Sequence, residues 1–166
     1  MSHSLHSEST LVFKRFLGNL RKILEKARGH AAAHKIDESA ILTARLFPDM
    51  FPMSRQVQIA TDSAKGAVAR LAGLEIPSFP DTEASFDELI ARIDKTVAFI
   101  DSVPASAFEG AEQRAIVLSF PSRKLEFTGA DYLRTWALPN FYFHIATAYG
   151  LLRSNGVPVG KMDYLG

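Results

Sequence analysis

Leu138-Pro139-Asn140-Phe141-Tyr142-Phe143-His144 sets a proline, an amide and an imidazole inside a run that is otherwise apolar and helical in period. A buried amide or imidazole without a partner costs about 1–3 kcal/mol, so a fold that accepts this stretch supplies hydrogen-bond partners, a ligand or a metal. Asn140 and His144 stand four apart and share one face of a helix from about Ala130 to Asn155, with Leu133, Trp136, Ala137, Thr147 and Leu151 on the same stripe. Pro139 lacks a backbone N–H and crowds the carbonyl four residues earlier, so a kink beside Asn140 is expected. Phe141, Tyr142 and Phe143 cover most of the helix circumference. One of them therefore faces a partner or a second subunit unless another element covers it.

Working outward, three more long helices precede this one. Ser9 or Thr10 can cap the first, whose Phe13, Phe16, Leu17, Leu20, Leu24 and Ala27 recur at steps of three and four up to about His34. Asp37 caps a short helical piece, Glu38 to Leu46, stopped by Pro48-Asp49-Met50-Phe51-Pro52, whose large apolar groups are expected to lie across the end of the core. The second long helix spans Met53 to Ala72 and stops at Gly73, with a small-residue stripe of Val57, Ala60, Ala64, Val68 and Leu71. Arg55, Gln58, Asp62 and Lys65 share its flanking polar face. After an ordered Leu74–Ala84 loop, Ser85 caps a third helix carrying Phe86, Leu89, Ile90, Ile93, Val97 and Ile100. Ile116, Leu118 and Phe120 then alternate, Pro121-Ser122-Arg123 turns, and Leu125 and Phe127 alternate in return, which reads as a small β-hairpin. The expected class is all-α: one domain over residues 1–166, a four-helix bundle with a hairpin between the third and fourth helices.

Composition narrows the function classes. With 166 residues, 47% hydrophobic and 22% charged, the chain suits one well-buried core. A net charge of +1 without any Lys/Arg block argues against nucleic acid as partner. The absence of cysteine removes disulfides, thiolate nucleophiles and Cys-ligated zinc. The first ten residues carry neither a basic start nor an apolar signal core, and no run approaches the roughly 20 apolar residues that span a bilayer. A cytoplasmic protein without membrane partners is expected. His3 and His6 fall in an N-terminus expected to lack order and receive no role.

Asn140 and His144 have the spacing of a metal site, but a histidine pair is the usual form and asparagine is a weak neutral oxygen ligand. Asp62, or Gln58 beside it, is the candidate third group. Three readings stay open: a divalent metal (zinc, nickel or manganese) held by His144, Asp62 and Asn140; a hydrogen-bonded Gln58, Asp62, Asn140 and His144 network in the core; or a metal-free small-molecule pocket that adds Lys65 and Trp136. His144 is expected to be buried within reach of Asp62 or Gln58. Arg45, Asp49 and Arg55 are expected to lock the proline-rich connection by charge pairing. No Gly-rich phosphate loop precedes a helix, and no Ser-His-Asp arrangement is legible.

Pro48-Asp49-Met50-Phe51-Pro52, Arg55-Gln56-Val57-Gln58, Asp62 to Lys65, Ala137 to His144 and the ending Gly160-Lys161-Met162-Asp163-Tyr164-Leu165-Gly166 together resemble a family of uncharacterised proteins catalogued as a domain of unknown function and placed near the DinB-like four-helix bundles. The resemblance spans nearly the whole chain and implies an up-up-down-down bundle, often a homodimer. DinB-like relatives typically hold a divalent metal with three histidines, and some act as metal-dependent hydrolases or thiol transferases. By that resemblance His144 matches the second histidine of the fourth-helix pair, Asn140 replaces the first, and the second helix offers Gln58 or Asp62. The expectation is a bundle with a polar core site that is non-catalytic or binds a small molecule at a degenerate metal site. The alternative is a divalent-metal hydrolase or transferase using Asp62, Asn140 and His144.

Overall fold

The computed structural model describes residues 4–166; His3 lies outside them. Helix α1 (Leu5–His34) starts earlier than Ser9 or Thr10 would allow, because the Ser4 hydroxyl accepts from the Ser7 N–H and caps it. Ser9 and Thr10 are buried instead, each hydroxyl donating to a carbonyl one turn back. His6 is thus helical, its ring edge-on to Phe108 at 5.0 Å. The short α2 (Glu38–Leu42) is capped by Asp37 as expected but stops before Leu46. The connection beyond it does not roof the core: Leu46 is 47%, Phe47 63% and Phe51 53% exposed. Arg45 holds this loop by donating to the Met50 carbonyl, whereas Arg55 pairs with Asp81 across the molecule and Asp49 joins no ion pair among the described residues.

Helices α3 (Met53–Ala72) and α4 (Phe86–Ser102) end and begin as their caps dictate, with Gly73 left-handed at φ 68° and Ser85 accepting from Glu88 N–H. Strands β1 (Ala115–Phe120) and β2 (Arg123–Thr128) form the hairpin, pairing Ile116 with Phe127 and Leu118 with Leu125. A turn of helix, α5 (Gly129–Asp131), follows; a Cβ at Gly129 would lie 1.9 Å from the Ala111 carbonyl oxygen, so only glycine lets the chain pass there. The backbone then winds as a π-helix through Tyr132–Ala137 before α6 (Leu138–Ser154). The wide π turn sits just ahead of Pro139, which has no N–H to give and whose ring needs room beside the Thr135 carbonyl. The tail adds α7 (Lys161–Leu165), which the sequence pattern alone did not announce. It clasps α1 through Asn19 Nδ2–H donating to the Tyr164 carbonyl at 3.0 Å and Lys26 on Asp163.

Side-chain pairs fix how the four long helices run. Lys14–Asp101, Arg21–Asp94 and Arg28–Asp87 count up α1 while counting down α4, so these two are antiparallel. Gln56–His144, Ser63–Asn140 and Arg70–Tyr132 do the same for α3 against α6 and its π lead-in. Glu8–Arg134 and Phe13–Phe141 rise together, so α1 and α6 are parallel. Gln58 meets Glu83 just before α4 and Thr61 meets Arg92 two turns into it, so α3 and α4 are parallel. The order is up-down-down-up, which corrects the up-up-down-down expectation. The correction has a physical basis: the connection 73–85 is long enough to climb back along the bundle, and Arg92 anchors it there through the Pro80 carbonyl and Glu83. Among the described residues, no helix is long and apolar enough to cross a membrane.

Candidate functional site

Two faces of α3 carry the polar interior. On the flank toward α4, Arg92 is a hub: its side chain is 2% exposed and reaches Asp62 at 2.7 Å, Asp81 at 3.0 Å and Glu83 at 2.8 Å. Its Nε–H also donates to Thr61 Oγ1 at 2.7 Å. Burial alone would push both Arg92 and Glu83 toward neutrality, but their mutual bonds outweigh it: Arg92 is held above and Glu83 below its ordinary range. Gln58 belongs to this hub, donating to Glu83 Oε2 at 2.9 Å. Lys65 is buried against Asp62 at 2.7 Å, its ammonium 4.0 Å from the Phe79 ring centre.

Toward α6 lies the seam Gln56, Ser63 and Arg70, spaced by seven and hence on one helix face. His144 is buried as expected, but its partner is neither Asp62 nor Gln58. The Gln56 amide donates Nε2–H to the Phe51 carbonyl at 2.9 Å, which leaves Oε1 to accept from His144 Nδ1–H at 2.7 Å. Gln56 and Gln58 are two residues apart, about 200° around the axis, so only one of them can face α6. Burial, with Arg55 adding repulsion, pushes the imidazole down to about 4. It is neutral at pH 7, with its proton on Nδ1.

One to two turns along the seam, Asn140 Nδ2–H donates to Ser63 Oγ at 2.7 Å, and Arg70 Nη1–H donates to the Tyr132 hydroxyl at 3.2 Å. Burial pushes the Tyr132 phenol up, against the pull of Arg70, so it stays protonated. These groups line a cavity of about 290 Å³ whose walls are Asp62, Ser63, Arg70, Tyr132, Ala137, Asn140 and the aromatic pair Phe120 and Trp136, with Leu118. The hairpin supplies one wall and the π turn another. The structure thus brings Asp62, Trp136 and Asn140 together at one cavity, while Gln58, Lys65 and His144 lie outside its lining. Ser63, Arg70 and Tyr132 escaped sequence reasoning. The seven-residue step 56, 63, 70 was the available signal, hidden beside the more obvious charged row.

As metal donors Asp62, Asn140 and His144 do not form a matched set. Asp62 Oδ1 already lies 2.7 Å from both Lys65 and Arg92, and two cations beside the one carboxylate oppose a dication there. Asn140 could offer only its neutral Oδ1, its Nδ2–H being given to Ser63, and His144 lies outside the lining of the cavity that Asp62 and Asn140 share. Among the described residues, no three His, Cys, Asp or Glu side chains are grouped so as to hold a metal.

Comparison with other proteins agrees with this architecture. A family model described as a domain of unknown function (DUF1993) matches residues 5–165. No curated protein matches the chain. Among solved structures, the crystal structure of a DinB family member from Shewanella denitrificans shares 41% identity and superposes with a TM-score of 0.89, covering 98% of this chain and 92% of its own. A match over almost every residue leads to one conclusion: the chain belongs to the DUF1993 family, a domain of unknown function with a DinB family member among its structural neighbours.

Proposed function

We propose that this protein is a binding module that holds a small molecule in the cavity between α3, the π turn and the hairpin. The observation that carries the reading is the Ser63–Asn140 bond in the lining of a cavity of about 290 Å³ that also carries Phe120, Trp136 and Arg70. A few convergent polar groups in an otherwise apolar recess are what small-ligand sites share. Neither candidate base is well placed for catalysis: His144 lies outside the cavity lining, and the Asp62 carboxylate is held by Lys65 and Arg92.

The test exploits the fact that Trp136 is the sole tryptophan and lines the cavity. Titrating the protein with a panel of neutral and charged aromatic and aliphatic fragments should give a saturable change in tryptophan emission for at least one class. A flat response across the panel overturns the reading. Elemental analysis of protein purified without a His tag checks the competing hydrolase or transferase reading; stoichiometric zinc, nickel or manganese would support a centre at Asp62, Asn140 and His144.

The same proposal includes a homodimer. Of the aromatic trio, Phe141 is buried and Tyr142 packs edge-on to Phe16 at 5.1 Å, but Phe143 is 56% exposed. Phe143 and Phe51 stand at the same end of the seam, since Gln56 links the Phe51 carbonyl to His144, whose ring Phe143 packs against at 5.2 Å. Apolar groups of this size are concentrated at the cores of lasting interfaces. Sedimentation equilibrium should show a dimer that Phe143→Ser weakens; a clean monomer at high micromolar concentration removes the claim.

A further inference from the structure

Resting on the binding reading above, we infer that the ligand is a small monocarboxylate with a flat apolar body, and that Arg70 is the group that recognises its charge. Two charged side chains line the cavity, and they are not equivalent. The Asp62 carboxylate is matched by Lys65 and Arg92, each at 2.7 Å. The Arg70 guanidinium has no carboxylate partner among the described residues; its Nη1 donates to Tyr132, and Nε and Nη2 make no hydrogen bond there. A guanidinium offers five N–H donors in a planar fork, so a half-buried one with most of them unused is matched to a planar two-oxygen anion. The Tyr132 hydroxyl, which accepts from Arg70, keeps its own proton to donate beside that position. Phe120 and Trp136, also in the lining, stand with ring centres 5.9 Å apart and offer apolar surface for a flat body.

The helix itself is shaped to hold Arg70 in this posture. Gly66 lies one turn earlier on α3, and a Cβ there would come within 2.7 Å of Arg70 Nη1. The guanidinium therefore folds back over the bare backbone of Gly66, and any side chain at 66 would push it off. Gly66 is buried in mid-helix, where glycine costs about 1 kcal/mol against alanine. Arg70 also borders a second recess of about 360 Å³, lined by Lys65, Pro77 and Phe79 on the opposite flank, so a displaced head has somewhere to go.

Benzoate and its neutral isostere benzamide, each followed by Trp136 emission, test the assignment. Benzoate should saturate at a concentration at least about tenfold lower than benzamide, the difference one charge-assisted bidentate contact supplies. Arg70→Gln should raise the benzoate dissociation constant about tenfold or more and weaken benzamide, which offers one neutral acceptor, much less. Gly66→Ala should do the same with the helix intact by circular dichroism, which keeps the test decisive if Arg70→Gln fails to fold. Benzamide binding as tightly as benzoate, or benzoate binding unaffected by both substitutions, overturns the carboxylate assignment and leaves the cavity as a neutral-ligand site. Failure of both probes to change Trp136 emission overturns the inference and counts against the binding reading with it.

Discussion

Two antiparallel seams run through this bundle; the one between α1 and α4 steps by seven residues on both helices, the one between α3 and α6 by seven on α3 alone. Along α1 and α4 the rungs are Lys14–Asp101, Arg21–Asp94 and Arg28–Asp87, opposite charges with side chains 39–69% exposed. Along α3 and α6 the rungs are Gln56–His144, Ser63–Asn140 and Arg70–Tyr132, where Gln56 is 1%, His144 8% and Tyr132 3% exposed. The first seam is interchangeable chemistry in water, where each partner finds nearly as good an alternative in solvent. The second is less easily shuffled, because Gln56, His144 and Tyr132 are buried, and breaking their bonds leaves polar groups with little solvent to replace the lost partner. A seam of the second kind is also where a cavity can be polar at modest cost, since the flanking rungs hold its walls in place.

If burial rather than chemistry sets the difference, the arginine–carboxylate contact that is buried should behave unlike the exposed ones. Arg92→Leu leaves Glu83 without a cation and takes one of two from Asp62, which keeps Lys65, and from Asp81, which keeps Arg55; it should destabilise by about 3–5 kcal/mol in urea denaturation. A loss no larger than that of an exposed rung would break the comparison.

The imidazole rung has a pH signature. His144 titrates near 4 in the folded protein against 6.5 for an unperturbed histidine, so between those values the unfolded chain binds the extra proton. Stability contributed by keeping this ring neutral is complete above pH 6.5 and is lost as pH falls toward 4, a total of roughly 3 kcal/mol. The measurement is the pH dependence of the urea midpoint in parent and His144→Gln; parallel profiles between pH 6.5 and 5 would mean the ring is not buried as a neutral group.

Asn140→Ala removes one half-buried hydrogen bond next to the cavity, where water can replace the amide. A cost of about 1 kcal/mol is expected by thermal unfolding. A cost as large as that of Arg92→Leu would make the Ser63–Asn140 rung a structural keystone rather than the rim of a site. At the bottom of the scale, Arg21→Ala cuts one exposed rung, and its melting temperature should match the parent at high salt, with any difference confined to low salt. A salt-independent loss would show that the outer seam specifies the pairing of α1 with α4 after all.

Much of this was readable from the chain. The four long helices, the Asp37, Ser85, and Gly73 caps, the hairpin with its turn at Pro121-Ser122, and the buried stripe Val57, Ala60, Ala64, Val68 and Leu71 follow from periodicity and capping chemistry, which are local properties. So does the buried, polar character of His144, because an imidazole on an apolar stripe has nowhere else to go. Of the polar and aromatic residues that stood out in the sequence, Trp136, Asn140 and Asp62 line one cavity.

The partners were not readable. A helical period says which residues share a face and nothing about which face of which other helix it meets, so Gln56 rather than Gln58 as the partner of His144, and Ser63 opposite Asn140, were decided by the rotation and register of α3 on α6. Arg92 hid inside an apolar stripe because its hub is assembled from α3 and from a loop closed only by the up-down-down-up order. Helix existence is set by bonds within four residues along the chain. Pairing across the bundle is set by contacts between residues as far apart as 56 and 144, and those exist only once the core has packed.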